Sequence, residues 1–318
     1  MKAIVNTAPG QLEFQDLPTP EPHAGQVRIH TVACGICATD LEMIAGWERT
    51  GFPAVPGHEW SGTVDAVGQG VDATLVGRPC VAENVLADGG EVGFEHPGGY
   101  AECFLTEAAN LQVLPDDFDL NAAALIEPLA VCVRGMNRLG EFDRGGPVLV
   151  IGDGPIGLIL VMLLQHHGAS QIVLTGGRDP RLALARQFGA ARTVNYHTDR
   201  LDPSAGRIPT IIEASGNGAA LNGALDLAAP QARILVLGDY GTTRADFPWN
   251  KLLHRELTVS GSNASADAWP AAVRLASEAN LPLEKLVTHR LPAREFARGM
   301  ELMRSRRAEV IKVILQWR

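Results

Sequence analysis

Two short segments near the start of the chain combine side chains that are able to bind a metal ion. The segment ACGICATD carries Cys34 and Cys37, and the segment GHEWSG carries His58 and Glu59. Two cysteines at this spacing can be a redox pair, part of a zinc site or a coincidence. A redox pair usually opens a helix that lowers the thiol pKa, whereas this pair follows a predicted strand. Thiolate, imidazole and carboxylate together are the donor set of an open, catalytic zinc site.

A structural zinc site is not expected in this chain. Such a site needs four protein ligands, and the sequence holds no second closely spaced pair of cysteines. Cys80, Cys103 and Cys132 stand alone, and we expect them to behave as small buried hydrophobic residues. The sequence therefore predicts one catalytic zinc ion per chain and no structural zinc.

A second candidate site is the segment VLVIGDGPIG, a short apolar strand followed by GxGxxG and a predicted helix. In this context Gly152 permits the tight turn, Gly154 lets a pyrophosphate approach the backbone, and Gly157 lets the helix pack on the strand. The loop also contains Pro155 and Ile156, at the point where phosphates would meet free N–H groups of the helix. The alternative is an ordinary glycine turn of an α/β protein. The strand before the loop and the helix after it favour a dinucleotide site.

The elements around these motifs change in character along the chain. Residues 2–5 and 26–33 alternate with the period of half-buried strands, and glycines and prolines interrupt this part often. From about residue 121, short runs of Val, Ile and Leu alternate with amphipathic segments. The predicted strands are residues 148–151, 171–174, 211–213, 234–237 and 257–259, and the predicted helices are residues 155–167, 181–188 and 217–228. This alternation indicates a parallel sheet covered on both faces, and we expect the tail strand VIKVIL to return to the first domain.

Composition excludes several classes of function. The formal net charge is −9 and no run of Lys and Arg is present, which disfavours nucleic acid and anionic membrane surfaces as partners. The longest apolar run, PIGLILVMLL, is too short to cross a bilayer. An N-terminus without an apolar region and an odd number of cysteines, five, predict neither a signal peptide nor a disulfide framework. We expect a cytoplasmic protein.

These motifs resemble those of the zinc-dependent alcohol dehydrogenases of the medium-chain dehydrogenase/reductase superfamily. GHEWSGTVDAVGQGV is similar to the family's GHExxG segment with its later Gly and Val, CGICATD to GIC-x-[ST]-D, GGYAE to GG[FY]AE, and GDGPIG to the cofactor loop. The likeness spans essentially the whole chain. It implies an α/β fold with a β-rich, GroES-like catalytic domain over residues 1–120 and 285–318. A Rossmann-type dinucleotide-binding domain would then cover residues 121–284.

The resemblance also implies roles for the metal donors. Cys37 and His58 are the fixed zinc ligands, whereas Cys34 serves packing. The third ligand is a carboxylate, from either Glu59 or Glu127, because the EPL motif at Glu127 resembles that of sorbitol and threonine dehydrogenases. The alternative role for Glu127 is a helix N-terminal carboxylate that the helix dipole favours. The family's lobe with four cysteines is missing, since residues 77–99 contain only Cys80.

Three further residues take part in the predicted chemistry. The resemblance implies that Thr39 passes on the substrate proton and that Asp40 hydrogen-bonds the ligand sphere, which fixes ligand orientation. Many relatives carry a histidine where this chain has Glu42. The next proton carrier is then either Glu42 or the cofactor ribose, and the alternative for Glu42 is a surface residue without a role.

The implied activity is hydride transfer between a nicotinamide cofactor and a secondary alcohol or polyol, or the matching carbonyl. Zinc lowers the pKa of an alcohol and stabilises a developing oxyanion. One alternative is a zinc-free quinone or enone reductase of the same superfamily, and another is a non-enzymatic dinucleotide-binding protein. We expect a small-molecule alcohol or carbonyl as substrate and a homodimer or homotetramer as the assembly.

The residues after the second strand of the predicted parallel sheet indicate which cofactor is preferred. NAD-dependent Rossmann proteins place an acid there, where it accepts from the ribose 2′-OH. Alignment of the following helix with the family's puts Gly176 at that position, so Gly176 and Gly177 leave room for a 2′-phosphate and Arg178 offers a bidentate partner. We interpret Asp179, which precedes a proline, as a helix N-cap. We therefore expect NADP(H) to be preferred over NAD(H).

Overall fold

The computed structural model describes residues 1–47, 49, 51–202, 207–241, 247–279 and 281–317. Among these residues the strands are β1 (Lys2–Ala8), β2 (Gln11–Asp16), β3 (Gln26–Gly35), β4 (Glu59–Val67), β5 (Pro79–Ala82), β6 (Cys103–Glu107), β7 (Leu111–Val113), β8 (Pro147–Ile151), β9 (Gln171–Gly176), β10 (Arg192–Asn195), β11 (Ile208–Glu213), β12 (Ala228–Val236), β13 (Thr258–Gly261), β14 (Val287–Pro292) and β15 (Lys312–Gln316). The helices are α1 (Ala38–Ala45), α2 (Leu120–Ala123), α3 (Ile126–Leu139), α4 (Pro155–His166), α5 (Asp179–Gln187), α6 (Gly218–Leu227), α7 (Trp249–His254), α8 (Trp269–Ser277) and α9 (Phe296–Ser305).

The chain divides into two compact units. The first unit comprises Met1–Ala130 and Ala266–Arg318, and the second unit comprises Val131–Ser265. The expected domain boundaries at residues 120 and 285 differ from these limits. Residues 121–130 and 266–284 lie in the first unit because α2 packs against β3 and β4, and α8 packs against β7.

The second unit is built on a six-stranded parallel sheet in the order β10-β9-β8-β11-β12-β13. Its two central strands, β8 and β11, are almost entirely buried and rich in Val, Ile and Leu, as expected for strands covered on both faces. Helix α4 packs against β8 and β9, and α6 packs against β11. Ile151 pairs with Thr175, so the ends of β8 and β9 lie side by side. The glycine loop after β8 therefore starts next to the residues that follow β9.

The first unit is β-rich. Its main sheet has the order β14-β15-β3-β4-β5-β7, with β6 also paired to β3, and β1 and β2 form a separate hairpin. Strand β15 runs antiparallel to β3, with Ile314 opposite Gly35. The expected return of the tail strand is thereby confirmed. Trp60, Tyr100 and Phe104 are among the largest fully buried side chains of this unit.

No helix in the described part of the chain is both long enough and apolar enough to cross a membrane.

Candidate active site

Cys37 lies at the junction between a strand and a helix. Strand β3 ends at Gly35, and Cys37 is the N-cap of α1, with its backbone N–H donating to Oδ2 of Asp40 at 2.8 Å. The pair follows a strand, as the sequence predicts, but it also precedes a helix that the sequence analysis did not identify, because Asp40 supplies a capping interaction that starts α1 directly after Cys37. Cys34 is fully buried in the strand, and burial raises the pKa of its thiol well above the usual value. Packing is thus the role that its surroundings support.

Three predicted metal donors converge in the first unit. The ligand atoms of Cys37, His58 and Glu59 all lie within 4.8 Å of one another. The strand register explains this, since Gly35 at the end of β3 pairs with Glu59 at the start of β4. His58 and Glu59 are buried and Cys37 is partly buried. A thiolate, an imidazole and a carboxylate at this proximity fit Zn²⁺ in donor type and leave a coordination position for a substrate oxygen.

Asp40 contacts two of these donors, Cys37 and His58. Its carboxylate is fully buried, and Oδ2 accepts a hydrogen bond from the Tyr100 hydroxyl at 3.0 Å in addition to the one from Cys37. Its Oδ1 lies 3.2 Å from Nδ1 of His58. Burial by itself would lower the pKa of His58, but Asp40 and Cys37 raise it well above the usual value. Surroundings that stabilise a proton on this imidazole also favour a cation among the same donors.

Lys312 is a component of the site that sequence reasoning missed. Its Nζ lies 2.7 Å from each carboxylate oxygen of Glu59, and both side chains are buried. Burial would lower the pKa of Lys312, yet Glu59 raises it above the usual value, so the ammonium stays charged. The available signal was a single lysine inside the apolar run VIKVIL. Tyr100 was missed as well, although it stands in the quoted GGYAE motif.

Glu127 lies outside the cluster of three mutually close donors. It stands in the first turn of α3, where the helix dipole favours a carboxylate. Burial raises the pKa of this carboxyl to about 7, while His58 opposes the rise and Glu59 adds to it. Glu127 is therefore close enough to His58 and Glu59 for their charges to act on its carboxyl.

The two residues of the expected proton relay occupy different environments on α1. The Oγ1 atom of Thr39 lies 3.6 Å from Sγ of Cys37, and its side chain is partly buried. Glu42 is one turn further along α1 and is exposed to solvent. The geometry brings the Thr39 hydroxyl to the metal donors and leaves Glu42 at the surface.

The glycine loop of the second unit has the local geometry that its sequence predicts. Gly152 has a φ of +117°, which favours glycine. A Cβ at Gly157 would overlap the carbonyl oxygen of Gly152, so the helix packs closely on the turn. Gly154 is the N-cap of α4, Pro155 follows it, and no atom lies within 4 Å of a Cβ built at Gly154. This open space at a helix N-terminus fits a pyrophosphate.

The residues after β9 surround an acid that the sequence analysis did not single out, Asp153. Its Oδ2 accepts from the backbone N–H groups of Gly177 at 3.0 Å and Arg178 at 2.8 Å. The guanidinium of Arg178 donates to Oδ1 at 2.7 Å. A Cβ at Gly176 would lie 2.5 Å from the Cβ of Asp153, so only glycine fits there. Arg178 is thus already engaged by an internal carboxylate.

Two other side chains complete this region. The Tyr196 hydroxyl and Nε2 of His197 approach Gly177 so closely that a Cβ there would clash with both. Asp179 is not the N-cap of α5, because the helix begins at Asp179 with Arg178 as its N-cap. The Asp179 carboxylate accepts instead from the side chain of Asn195 at 2.7 Å.

Comparison with known proteins identifies the domain families of this chain. An alcohol dehydrogenase GroES-like domain matches residues 23–116, and a zinc-binding dehydrogenase domain matches residues 155–278. L-threonine 3-dehydrogenase of Anaeromyxobacter sp. (strain Fw109-5) is 31% identical over 349 residues, which cover 100% of this chain and 99% of that relative. Galactitol 1-phosphate 5-dehydrogenase of Escherichia coli (strain K12) is 30% identical over 94% of this chain and 95% of its own length.

The architecture is also shared with solved structures. RspB, an alcohol dehydrogenase from E. coli CFT073 crystallised with the cofactor NADH, gives a TM-score of 0.94 at 28% identity, with 100% of this chain and 99% of that chain covered. The predicted fold class, a Rossmann-type parallel sheet with a GroES-like β-rich domain, is confirmed. With its metal donors in the first unit and its glycine loop in the second, the chain belongs to the zinc-binding alcohol dehydrogenases of the medium-chain dehydrogenase/reductase superfamily, and it is an enzyme of the NAD(P)-dependent type.

Proposed function

We propose that this protein interconverts a secondary alcohol or polyol and the matching carbonyl, with one zinc ion per chain and with NADP(H) preferred over NAD(H). The convergence of Cys37, His58 and Glu59 within 4.8 Å carries this proposal. When bound, zinc supplies Lewis-acid polarisation of the substrate oxygen, and the nicotinamide accepts or donates the hydride. The relatives that act on L-threonine and galactitol 1-phosphate support a substrate with a secondary hydroxyl.

The chain's own contribution begins with orientation of the donors. The buried carboxylate of Asp40 accepts hydrogen bonds from the backbone N–H of Cys37 and the hydroxyl of Tyr100, and its Oδ1 lies 3.2 Å from the ring of His58. Such hydrogen bonds fix the ligands in place before a metal arrives and adjust their basicity. Asp40 and Tyr100 are therefore positioning residues, and neither needs to touch the substrate.

Glu59 supplies the third donor in this proposal. It is the carboxylate whose oxygen lies within the donor cluster, and Lys312 neutralises part of its charge. Glu127 is the alternative donor. Glu127→Gln should then keep zinc, whereas Glu59→Gln should lose it, and the opposite pattern of metal content assigns the role to Glu127.

Thr39 moves the substrate proton. Its hydroxyl stands beside Sγ of Cys37, so it can accept the proton of a substrate hydroxyl held near the donors and donate its own proton onward. Glu42, exposed one turn later on α1, is the proposed acceptor at the solvent side.

The cofactor preference rests on the space and charge after β9. Glycine alone fits at Gly176, so no acid can extend from the end of this strand to the ribose. The guanidinium of Arg178 lies 2.7 Å from Oδ1 of Asp153, and the hydroxyl of Tyr196 lies beside Gly177; both groups can donate to a 2′-phosphate.

A panel of secondary alcohols, polyols and their carbonyls, assayed by the absorbance of the reduced cofactor, tests the activity. The metal content is measured on the same sample by atomic emission. Turnover of a secondary alcohol together with bound zinc supports the proposal. Reduction of activated double bonds without zinc indicates a quinone or enone reductase, and cofactor binding without any turnover indicates a dinucleotide-binding protein.

A further inference from the structure

We propose that Asp153 is the cofactor-discriminating residue of this enzyme: its carboxylate occupies the donors that a 2′-phosphate would use, and it thereby limits the preference for NADP(H). The inference deepens the proposed function, since it concerns the same nucleotide site. Asp153 stands between the first two glycines of the GDGPIG loop and is 4% exposed. Nothing in the metal chemistry of the first unit involves it.

The groups around Asp153 form a ready anion site. Successive backbone N–H groups of Gly177 and Arg178 point at one carboxylate oxygen, at 3.0 and 2.8 Å, and the Arg178 guanidinium reaches the other oxygen at 2.7 Å. Consecutive N–H groups in a turn make a concavity that binds anions, and an adjoining guanidinium strengthens it. In this chain the Asp153 carboxylate accepts the hydrogen bonds of all three donors.

Asp153 also takes the place of the acid that is missing from β9. Its Oδ2 lies 2.7 Å from the position of a Cβ at Gly176, which is the position from which an acid would read the ribose of NAD. Strands β8 and β9 are neighbours, so the glycine loop can deliver a carboxylate to the end of β9 from the side. The same carboxylate can accept from the ribose 2′-OH and opposes a 2′-phosphate by like-charge repulsion.

Nearby positive charges weaken the repulsion between the Asp153 carboxylate and a 2′-phosphate. Two guanidinium groups donate to Asp153: Arg178 to Oδ1 at 2.7 Å, and the buried Arg181 to the carbonyl oxygen at 3.4 Å. The guanidinium groups still attract a phosphate, although Arg178 must be shared with Asp153. We therefore expect a wild type that uses both cofactors with a modest preference for NADP(H).

Substitution of Asp153 by alanine tests the inference. Asp153→Ala should raise the ratio of kcat/KM for NADP over kcat/KM for NAD by about tenfold or more, the change produced by roughly 1.4 kcal/mol of differential binding. The change should appear in KM and not in kcat. Asp179→Asn is the matched control, because it removes one negative charge next to Arg178 without touching the Gly177 and Arg178 N–H groups. It should leave the ratio unchanged.

A binding measurement separates this inference from the proposed function. Calorimetric titration with adenosine 2′,5′-bisphosphate and with 5′-AMP reports the phosphate site without any turnover. Asp153→Ala should tighten the bisphosphate by about tenfold relative to 5′-AMP, again about 1.4 kcal/mol. If the alanine variant does not fold, Asp153→Ser serves as the second neutral variant. An unchanged or weakened bisphosphate affinity would overturn the inference, even in an enzyme that turns over alcohols normally. Conversely, a protein without turnover in which Asp153→Ala tightens the bisphosphate would refute the proposed function alone.

Discussion

Lys312 and Glu59 form a buried ion pair in which the ammonium nitrogen lies 2.7 Å from both carboxylate oxygens. The two residues are 253 positions apart and meet because β15 pairs with β3, next to β4. The pair connects the tail of the chain directly to the metal donors. Lys312 therefore has a structural role and an electrostatic one at the same site.

We predict that Lys312→Met destabilises the protein strongly. Removal of one partner leaves an uncompensated buried charge, which costs roughly 3–5 kcal/mol of the free energy of unfolding. Chemical denaturation measures this change. Lys2→Met is the matched control, because Lys2 pairs with Asp16 at the surface, where such a pair contributes about 0–1 kcal/mol. Equal free energies of unfolding for the two variants would show that burial of the Glu59 carboxylate does not require the Lys312 ammonium.

Tyr100→Phe should weaken zinc binding while the fold remains intact. The substitution removes only the hydroxyl that donates to Asp40, and loss of such an outer hydrogen bond lowers metal affinity by about 10–100-fold. Competition with a chromophoric chelator measures the affinity. Tyr240→Phe removes the same group from a tyrosine that donates to Glu213 in the second unit, and it should leave zinc affinity unchanged. Equal zinc affinities in both variants would show that the Tyr100 hydroxyl does not support the metal donors through Asp40.

Thr39→Ala should keep zinc but lower kcat by about 10²-fold or more, the usual scale of general acid–base catalysis. Thr39→Ser should retain most of the activity because its hydroxyl remains. Steady-state kinetics and metal analysis on both variants provide the comparison. An alanine variant with wild-type kcat would mean that the proton leaves by another route.

Arg178→Ala should weaken NADP(H) more than NAD(H). A guanidinium contact to phosphate is a charge-assisted hydrogen bond, and its loss should raise the KM for NADP by about tenfold or more, equivalent to roughly 1.4 kcal/mol. Arg192→Ala is the control, because Arg192 lies on the neighbouring strand β10 and pairs loosely with Asp199 at 3.7 Å. A wild type that favours NAD, or an Arg178→Ala variant with an unchanged NADP constant, would refute the proposed preference.

Much of the fold could be predicted from the sequence, because its signals are local. Helix α4 was expected at residues 155–167 and covers Pro155–His166, and the strand expected at residues 148–151 is β8, Pro147–Ile151. The boundaries were less accurate where the pattern is weak. Strand β12 begins at Ala228, six residues before the expected start at residue 234, because its first half is more polar and more exposed.

Only the site residues that belong to short sequence motifs could be predicted from the sequence. Cys37, His58 and Glu59 belong to short segments whose residue types already indicate zinc. The partners of these donors, Lys312 and Tyr100, come from strand register and packing, which no local pattern encodes. The same holds for Asp153, whose position beside Gly176 depends on the pairing of β8 with β9.

Zinc content is the most direct test of the central claim that Cys37 and His58 anchor a catalytic metal ion. Atomic emission on wild type, Cys37→Ser and Cys103→Ser is the measurement. Cys103 is a buried cysteine outside the donor cluster and provides the control. We predict about one zinc ion per chain in wild type and in Cys103→Ser, in keeping with a catalytic site of three protein ligands. Cys37→Ser should lose metal and turnover together while keeping its fold. A Cys37→Ser variant that retains its zinc, or a wild type that stays fully active after chelation has removed all zinc, would contradict the account.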